Sequence, residues 1–285
     1  MGLPRILSLL TLGGAALLCA KMAAADPATA SRAATPQGLT AYRAVYELSL
    51  SDASLAAGAA SGRGRLSFNL SGSSCQGYQE IRHQVTELRT SAGAPQLMEL
   101  RSATFETADG NGFDFDFQSK SGGAAPKSVK GKAKRTSGSG LAVTLGSAKS
   151  RDVDLGGDNA LFPAEYLRRT LTAAHNEEKI FRAKVFDGSE PGKPVLDAST
   201  VIGKPSTAPA TEKALKIQQL EGLRHWPVTV SYFQPDAPDS TPVYVKTFEL
   251  YENGVVHVLK IDYGHFVVAG EMKELVLAPP AKACK

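Results

Sequence analysis

Residues 97–117 read LMELRSATFETADGNGFDFDF. Phe113, Phe115 and Phe117 alternate with Asp114 and Asp116, the period of a strand with one face buried. Asp109-Gly110-Asn111-Gly112 holds the residue types a tight reversal needs, and Leu97 to Thr107 before it supplies the partner strand. Burying one aromatic side chain contributes about 1.5–3 kcal/mol, so three phenylalanines on one face commit that face to a core. The segment predicts an antiparallel hairpin.

The same period recurs in both directions. Tyr42, Ala44, Tyr46, Leu48 and Leu50 oppose Arg43, Glu47 and Ser49, and Leu66, Phe68 and Leu70 repeat the pattern, so these two runs are expected to pair. A second hairpin is written around Asn253-Gly254, with Val243 to Tyr251 before it and Val255 to Tyr263 after it. Further strands are expected over Leu141 to Leu145, Ile180 to Phe186, Val195 to Ile202, Val228 to Phe233 and Glu274 to Leu277. One segment departs from this period. After Leu161, Leu167 and Leu171 fall four apart and Pro163 stands at a first helical turn, which predicts a short helix around residues 163–175. Residues 119–140, rich in Gly, Ser and Lys, and residues 203–214 read as loops.

The chain has 285 residues. It opens on Met1 to Arg5, one positive charge and no acid, then an uncharged run from Ile6 to Ala20, and Ala23-Ala24-Ala25 offers small residues for cleavage. That plan predicts a signal peptide over residues 1–25, a flexible lead over 26–38 and a single β-barrel domain over 39–285. A lipoprotein reading of Cys19 requires a small residue before it, and Leu18 is bulky. The run is shorter than the roughly 20 apolar residues of a spanning helix, so no transmembrane span is expected in the mature chain. Loss of the leader removes Arg5, Lys21 and Cys19. It leaves Cys75 and Cys284, which an oxidising compartment would join and a reducing one would keep as two thiols. The formal net charge of +4 falls to +2 with the leader, and no clustered basic footprint of a nucleic-acid binder accompanies it.

The chemistry-bearing residues do not converge. Asp109, Asn111, Asp114 and Asp116 resemble a calcium loop, but Phe113 and Lys120 occupy positions that need oxygen ligands. The five histidines, His83, His175, His225, His257 and His265, show no His-x-x-x-His pair, so no metal site is read and no cofactor is expected. There is no nucleophile elbow and no phosphate loop, so a hydrolase lacks its acid, base and nucleophile. Lys127, Lys130, Lys132, Lys134 and Arg135 form a basic cluster that is either a solvated hairpin or a contact for anionic head groups. Many antiparallel strands must hide their edges, and closure or near-closure into a barrel does so. The expected fold class is therefore all-β, a large antiparallel open barrel, whose interior is either core or a cavity for an apolar ligand. Phe162, Tyr166, Trp226, Tyr232, Phe248 and Tyr263 are the candidate cavity-lining residues.

The early Cys75, the Leu161-Phe162-Pro163 helix entry, and Val185-Phe186-Asp187-Gly188-Ser189-Glu190 followed by Val201-Ile202-Gly203 form an ordered series. With the Trp226-Pro227-Val228-Thr229-Val230 strand, the Asn253-Gly254 hairpin and the terminal Cys284, it resembles the EipB-type cell-envelope integrity proteins from about Leu39 to Cys284. The resemblance implies a periplasmic protein folded as a spiral-like open β-barrel around one helix, needed under envelope stress. It also implies a disulfide carried over to Cys75 and Cys284. The fold it implies is like that of periplasmic lipid and lipoprotein carriers, and it assigns no catalytic residue. The ligands it suggests are a lipid, a lipoprotein segment or a periplasmic protein partner.

Overall fold

The computed structural model describes residues 38–52, 59–90, 94–137, 140–146, 151–153, 160–189, 195–235, 241–264 and 266–280. The expected leader and flexible lead lie outside them, apart from Gly38. Among them are fourteen strands and one α-helix. The first run is β1 (Tyr42–Asp52), β2 (Ala59–Ser73), β3 (Gly77–Thr90), β4 (Gln96–Glu106), β5 (Gly112–Ser121), β6 (Lys127–Arg135), β7 (Leu141–Leu145) and β8 (Arg151–Val153). Helix α1 (Pro163–His175) follows. The second run is β9 (Ile180–Val185), β10 (Leu196–Ile202), β11 (His225–Phe233), β12 (Tyr244–Tyr251), β13 (Val256–Asp262) and β14 (Val267–Leu277).

All strands join one antiparallel sheet in the order β8-β7-β6-β5-β4-β3-β2-β1-β14-β13-β12-β11-β10-β9. Each neighbour is also the neighbour in sequence, except that β1 pairs β14 and so joins the two meanders. The sheet is open, with β8 and β9 as its edges. It curls until β5 to β7 face the segments flanking β9, and that seam is packed rather than laddered. Phe113 stacks on Phe162 with ring centroids 5.0 Å apart, and Phe115 meets Phe186 edge-on at 5.8 Å. Gly188, at φ +74°, admits the Phe115 ring, which a side chain there would strike at 2.6 Å.

Helix α1 lies inside the curl. Its buried residues Tyr166, Thr170, Leu171, Ala173 and Ala174 recur at helical spacing, and they pack into a core with Tyr42, Leu70, Val185, Trp226 and Val228. No helix among the described residues is long and apolar enough to cross a membrane.

One expectation is corrected. Residues 119–140 are not a loop: β5 runs on to Ser121 and β6 occupies Lys127–Arg135. The inward face of β6 is Val129, Gly131 and Ala133, and at Gly131 the Phe115 ring fills the space that a side chain would take. Strand β3, with no expectation attached, is one of the longest, at 14 residues.

Candidate functional site

Alternation along β3 puts Tyr78, Glu80, Arg82 and Gln84 on the concave side of the sheet. Across from them β12 directs Tyr244, Lys246 and Phe248 inward, and Tyr232 of β11 and Tyr263 after β13 stand beside them. Helix α1 contributes Ala164, Tyr166 and Leu167. These walls enclose a cavity of about 950 Å³, whose remaining lining is mainly aliphatic and aromatic and includes Leu66, Phe68, Leu70 and Leu100.

Two cations stand in this apolar setting. Arg82 donates from Nε to Glu80 Oε1 at 2.7 Å, and its guanidinium lies 5.5 Å from the Phe68 ring. Burial works to strip its proton, but the adjacent Glu80 carboxylate outweighs burial and holds its pKa above the ordinary arginine value. Lys246 Nζ sits over the rings of Tyr232 and Tyr244, at 5.4 and 5.3 Å, rather than against a carboxylate. Burial, with the Arg82 charge adding to it, pushes its pKa down to about 8. The phenols around it move the other way. Burial pushes Tyr166 up to about 12 and also raises Tyr232, Tyr244 and Tyr263, so all four remain neutral donors at physiological pH.

Glu106, at the end of β4, touches both the cavity and the helix. Its oxygens accept the backbone N–H of Ala164 at 2.9 Å and of Glu165 at 3.0 Å, while the N-cap residue Phe162 supplies no side-chain cap. Burial pushes Glu106 up to about 7 against the pull of these bonds.

Tyr166, Tyr232, Phe248 and Tyr263 lie on the cavity wall. Phe162 and Trp226 do not. Phe162 is spent on the aromatic seam, and Trp226 is covered by the last turn of α1, with its ring 5.1 Å from His175. Arg82, Glu80, Lys246 and Glu106 are the residues that sequence reasoning missed. A lysine between Tyr244 and Phe248 at strand period was the one local sign of them.

The other motifs are absorbed by the sheet. Lys132 pairs with Asp114 at 2.9 Å and Lys130 with Asp116 at 3.2 Å across β5 and β6, and Arg135 pairs with Glu165 of α1 at 2.7 Å, so three of the five cations of the basic cluster stand in ion pairs. Asp109 accepts hydrogen bonds from Thr107 and Asn111 within its turn. Cys75 stands in the turn between β2 and β3, and Cys284 lies outside the described residues. His83 faces Glu99 at 2.8 Å, His175 Nδ1 meets the Leu171 carbonyl at 2.7 Å, and His265 lies outside the described residues. His225 and His257, apart in sequence, come together on the outer face with Glu249.

The family model described as EipB-like matches residues 33–279. The cell envelope integrity protein EipB of Brucella abortus (strain 2308) is 30% identical over 249 residues, covering 87% of this chain and 88% of that one. The crystal structure of a β-barrel-like protein of a domain of unknown function from Brucella abortus superposes with a TM-score of 0.76 at 30% identity. That match covers 85% of this chain and 99% of the other. The curled open sheet, the helix it encloses and this extent of match place the chain in one group: it belongs to the EipB-like family.

Proposed function

We propose that the protein is a non-enzymatic factor of the periplasm that maintains the cell envelope. In this reading it takes an anionic, acyl-bearing ligand, a lipid or the lipidated segment of a lipoprotein, into its cavity. The observation that carries this is the pairing of a large apolar volume with Arg82 and Lys246. A cavity of about 950 Å³ stands at the upper end of the roughly 300–1,000 Å³ of ligand pockets. A cation held over aromatic rings at the wall has the chemistry to receive a phosphate or carboxylate. The name of the Brucella relative, a cell envelope integrity protein, supports the envelope role, and the leader plan at residues 1–25 supports export.

Lysophosphatidylglycerol is a suitable probe. Losing one hydrogen bond to a charged group costs about 1.5–3 kcal/mol, so K246M is expected to weaken binding by roughly tenfold or more. An uncharged acyl glycerol of the same chain length should bind both proteins alike. Lys246 holds its proton below its pKa of about 8 and loses it above, so affinity for the anionic probe should fall as pH rises through that value, and K246M should lack that step. Protein purified from periplasm that is empty by native mass spectrometry, and that binds no lipid extract, would remove the ligand from this reading.

A second reading is a scaffold that recruits envelope proteins by strand addition. It is favoured by β9, a sheet edge on which Ile180 is 52% exposed beside the 53% exposed Val201. Crosslinking in cells separates the two: one dominant protein adduct without co-purifying lipid supports recruitment.

A further inference from the structure

On the outer face of the sheet, away from the cavity, His225 of β11, Glu249 of β12 and His257 of β13 stand on three adjacent strands. One ligand atom from each lies within 4.8 Å of the other two. His257 is directly opposite Glu249 in register. The chain between β10 and β11 folds back over them. Ser206 and His225 exchange two backbone hydrogen bonds of 2.9 Å, and the Ala208 carbonyl lies 3.1 Å from His225 Nε2. Glu212 from the same segment reaches His257 Nδ1 at 2.7 Å and also accepts the Met272 N–H at 2.9 Å.

Hydrogen-bond chemistry leaves this cluster incomplete. His257 is 3% exposed, and with Nδ1 bonded to Glu212 its other nitrogen, Nε2, is buried with no hydrogen-bond partner. An unmet buried polar atom costs about 1–3 kcal/mol. His225 shows the complementary problem. A carbonyl and a carboxylate only accept, so Nε2 is the donor toward Ala208, and Nδ1, 2.9 Å from Glu249 Oε2, is held there either by its own proton or by a cation in its place. Imidazole nitrogens of His225 and His257 and a Glu249 carboxylate oxygen, all within 4.8 Å of one another, are the donor set of a cation. Glu249 and Glu212 together supply the two negative charges a divalent ion neutralises.

We propose that His225, Glu249 and His257 bind a divalent transition-metal ion of the zinc class, a preference set by two imidazoles and one carboxylate. Glu212 is the positioning residue: it fixes the tautomer and angle of His257 as carboxylate partners of metal-bound histidines do. Glu249, 26% exposed, leaves an approach for a water as fourth ligand. Through Glu212 on His257 and the Ala208 carbonyl on His225, the bound ion couples segment 203–224 to the strands beneath it. The site is independent of the cavity.

The test uses tag-free, oxidised full-length protein stripped with a chelator and titrated with Zn2+ against a chromophoric competitor. One ion per chain is expected, together with a rise in thermal midpoint. H257Q and E249Q should each weaken binding more than tenfold, E212Q by about tenfold, and H83Q, which alters a histidine paired to Glu99 elsewhere on the surface, should bind as the parent does. No stoichiometric Zn2+ in the parent, or equal affinity in H257Q, overturns the proposal. Should H257Q fail to fold, Co2+ in the parent protein decides: intense visible bands of a four- or five-coordinate ion support the site, and faint octahedral bands overturn it.

Discussion

Glu106 supplies what the helix cannot find nearby. Phe162 at the N-cap has no side-chain oxygen to offer and Pro163 has no N–H, so the first free amides of α1 are met by a carboxylate from β4. Nothing local in the sequence announces this, because donor and acceptor are more than fifty residues apart and only the sheet brings them together. The titration has a definite sign. With a folded pKa of about 7 and an ordinary value of 4.5, the folded chain keeps this proton while the unfolded chain has lost it. The contribution is thus full below 4.5 and declines as pH rises toward 7. E106Q keeps an acceptor but cannot ionise, so its stability should decline less between about pH 5 and about pH 8 than that of the parent. E106A leaves the amides unmet and should lose on the order of 1–3 kcal/mol at both. Urea unfolding midpoints measure all three. An E106Q slope equal to that of the parent would assign the pH dependence elsewhere.

Strands were legible wherever their inner face is apolar, whether it meets core or cavity, and illegible where that face is polar or small. Phe113 and Phe115 announce β5 because both are buried. The inner face of β3 carries Glu80, Arg82 and Gln84, which face a hollow and give no apolar period. The inner face of β6 is small at Gly131 for the opposite reason, since that space belongs to a neighbouring ring. The same blindness hid Glu80 and Arg82 on the cavity wall, whereas Lys246 stands on a strand that its aromatic neighbours Tyr244 and Phe248 announce. Strand β13 adds a bulge that no period predicts. Thr247 pairs Lys260 while Glu249 pairs His257, so one extra residue sits between them. The extra residue changes the parity: His257 points outward with Val258, whereas Leu259, Ile261 and Tyr263 line the cavity. Val258 takes φ +51°, where a β-branched residue is strained by roughly 1–2 kcal/mol. V258G relieves that strain, and its folding stability should stay level or rise by up to about 1 kcal/mol. In a regular strand the same change would lower it by about that much. A loss of more than about 1 kcal/mol in urea unfolding would show that the side chain outweighs its backbone strain.

At the scale of the molecule, the curl is held by an aromatic seam on one side and by the β1–β14 ladder on the other, and the direction of β14 argues for a covalent tie. Both β14 and β2 run antiparallel to β1, so they point the same way, and Ala278 N–H still bonds the Ala41 carbonyl at 2.8 Å as β14 ends. β14 therefore ends, with Leu277 opposite Tyr42, at the same end of the sheet as the turn that holds Cys75. Strands stand about 4.8 Å apart, and a tail of six residues reaches about 20 Å, enough to bring Cys284 across β1 to Cys75. We infer that the two are joined. The chain-entropy model values so long a loop at about 5 kcal/mol, and measured gains usually run lower. C75S and C284S should therefore each lose about 2–5 kcal/mol in urea unfolding, and the double variant should lose no more than either alone, because one bond can be removed only once. Two free thiols in folded, unreduced protein, or losses that add in the double variant, would leave the curl to its seam and ladder alone.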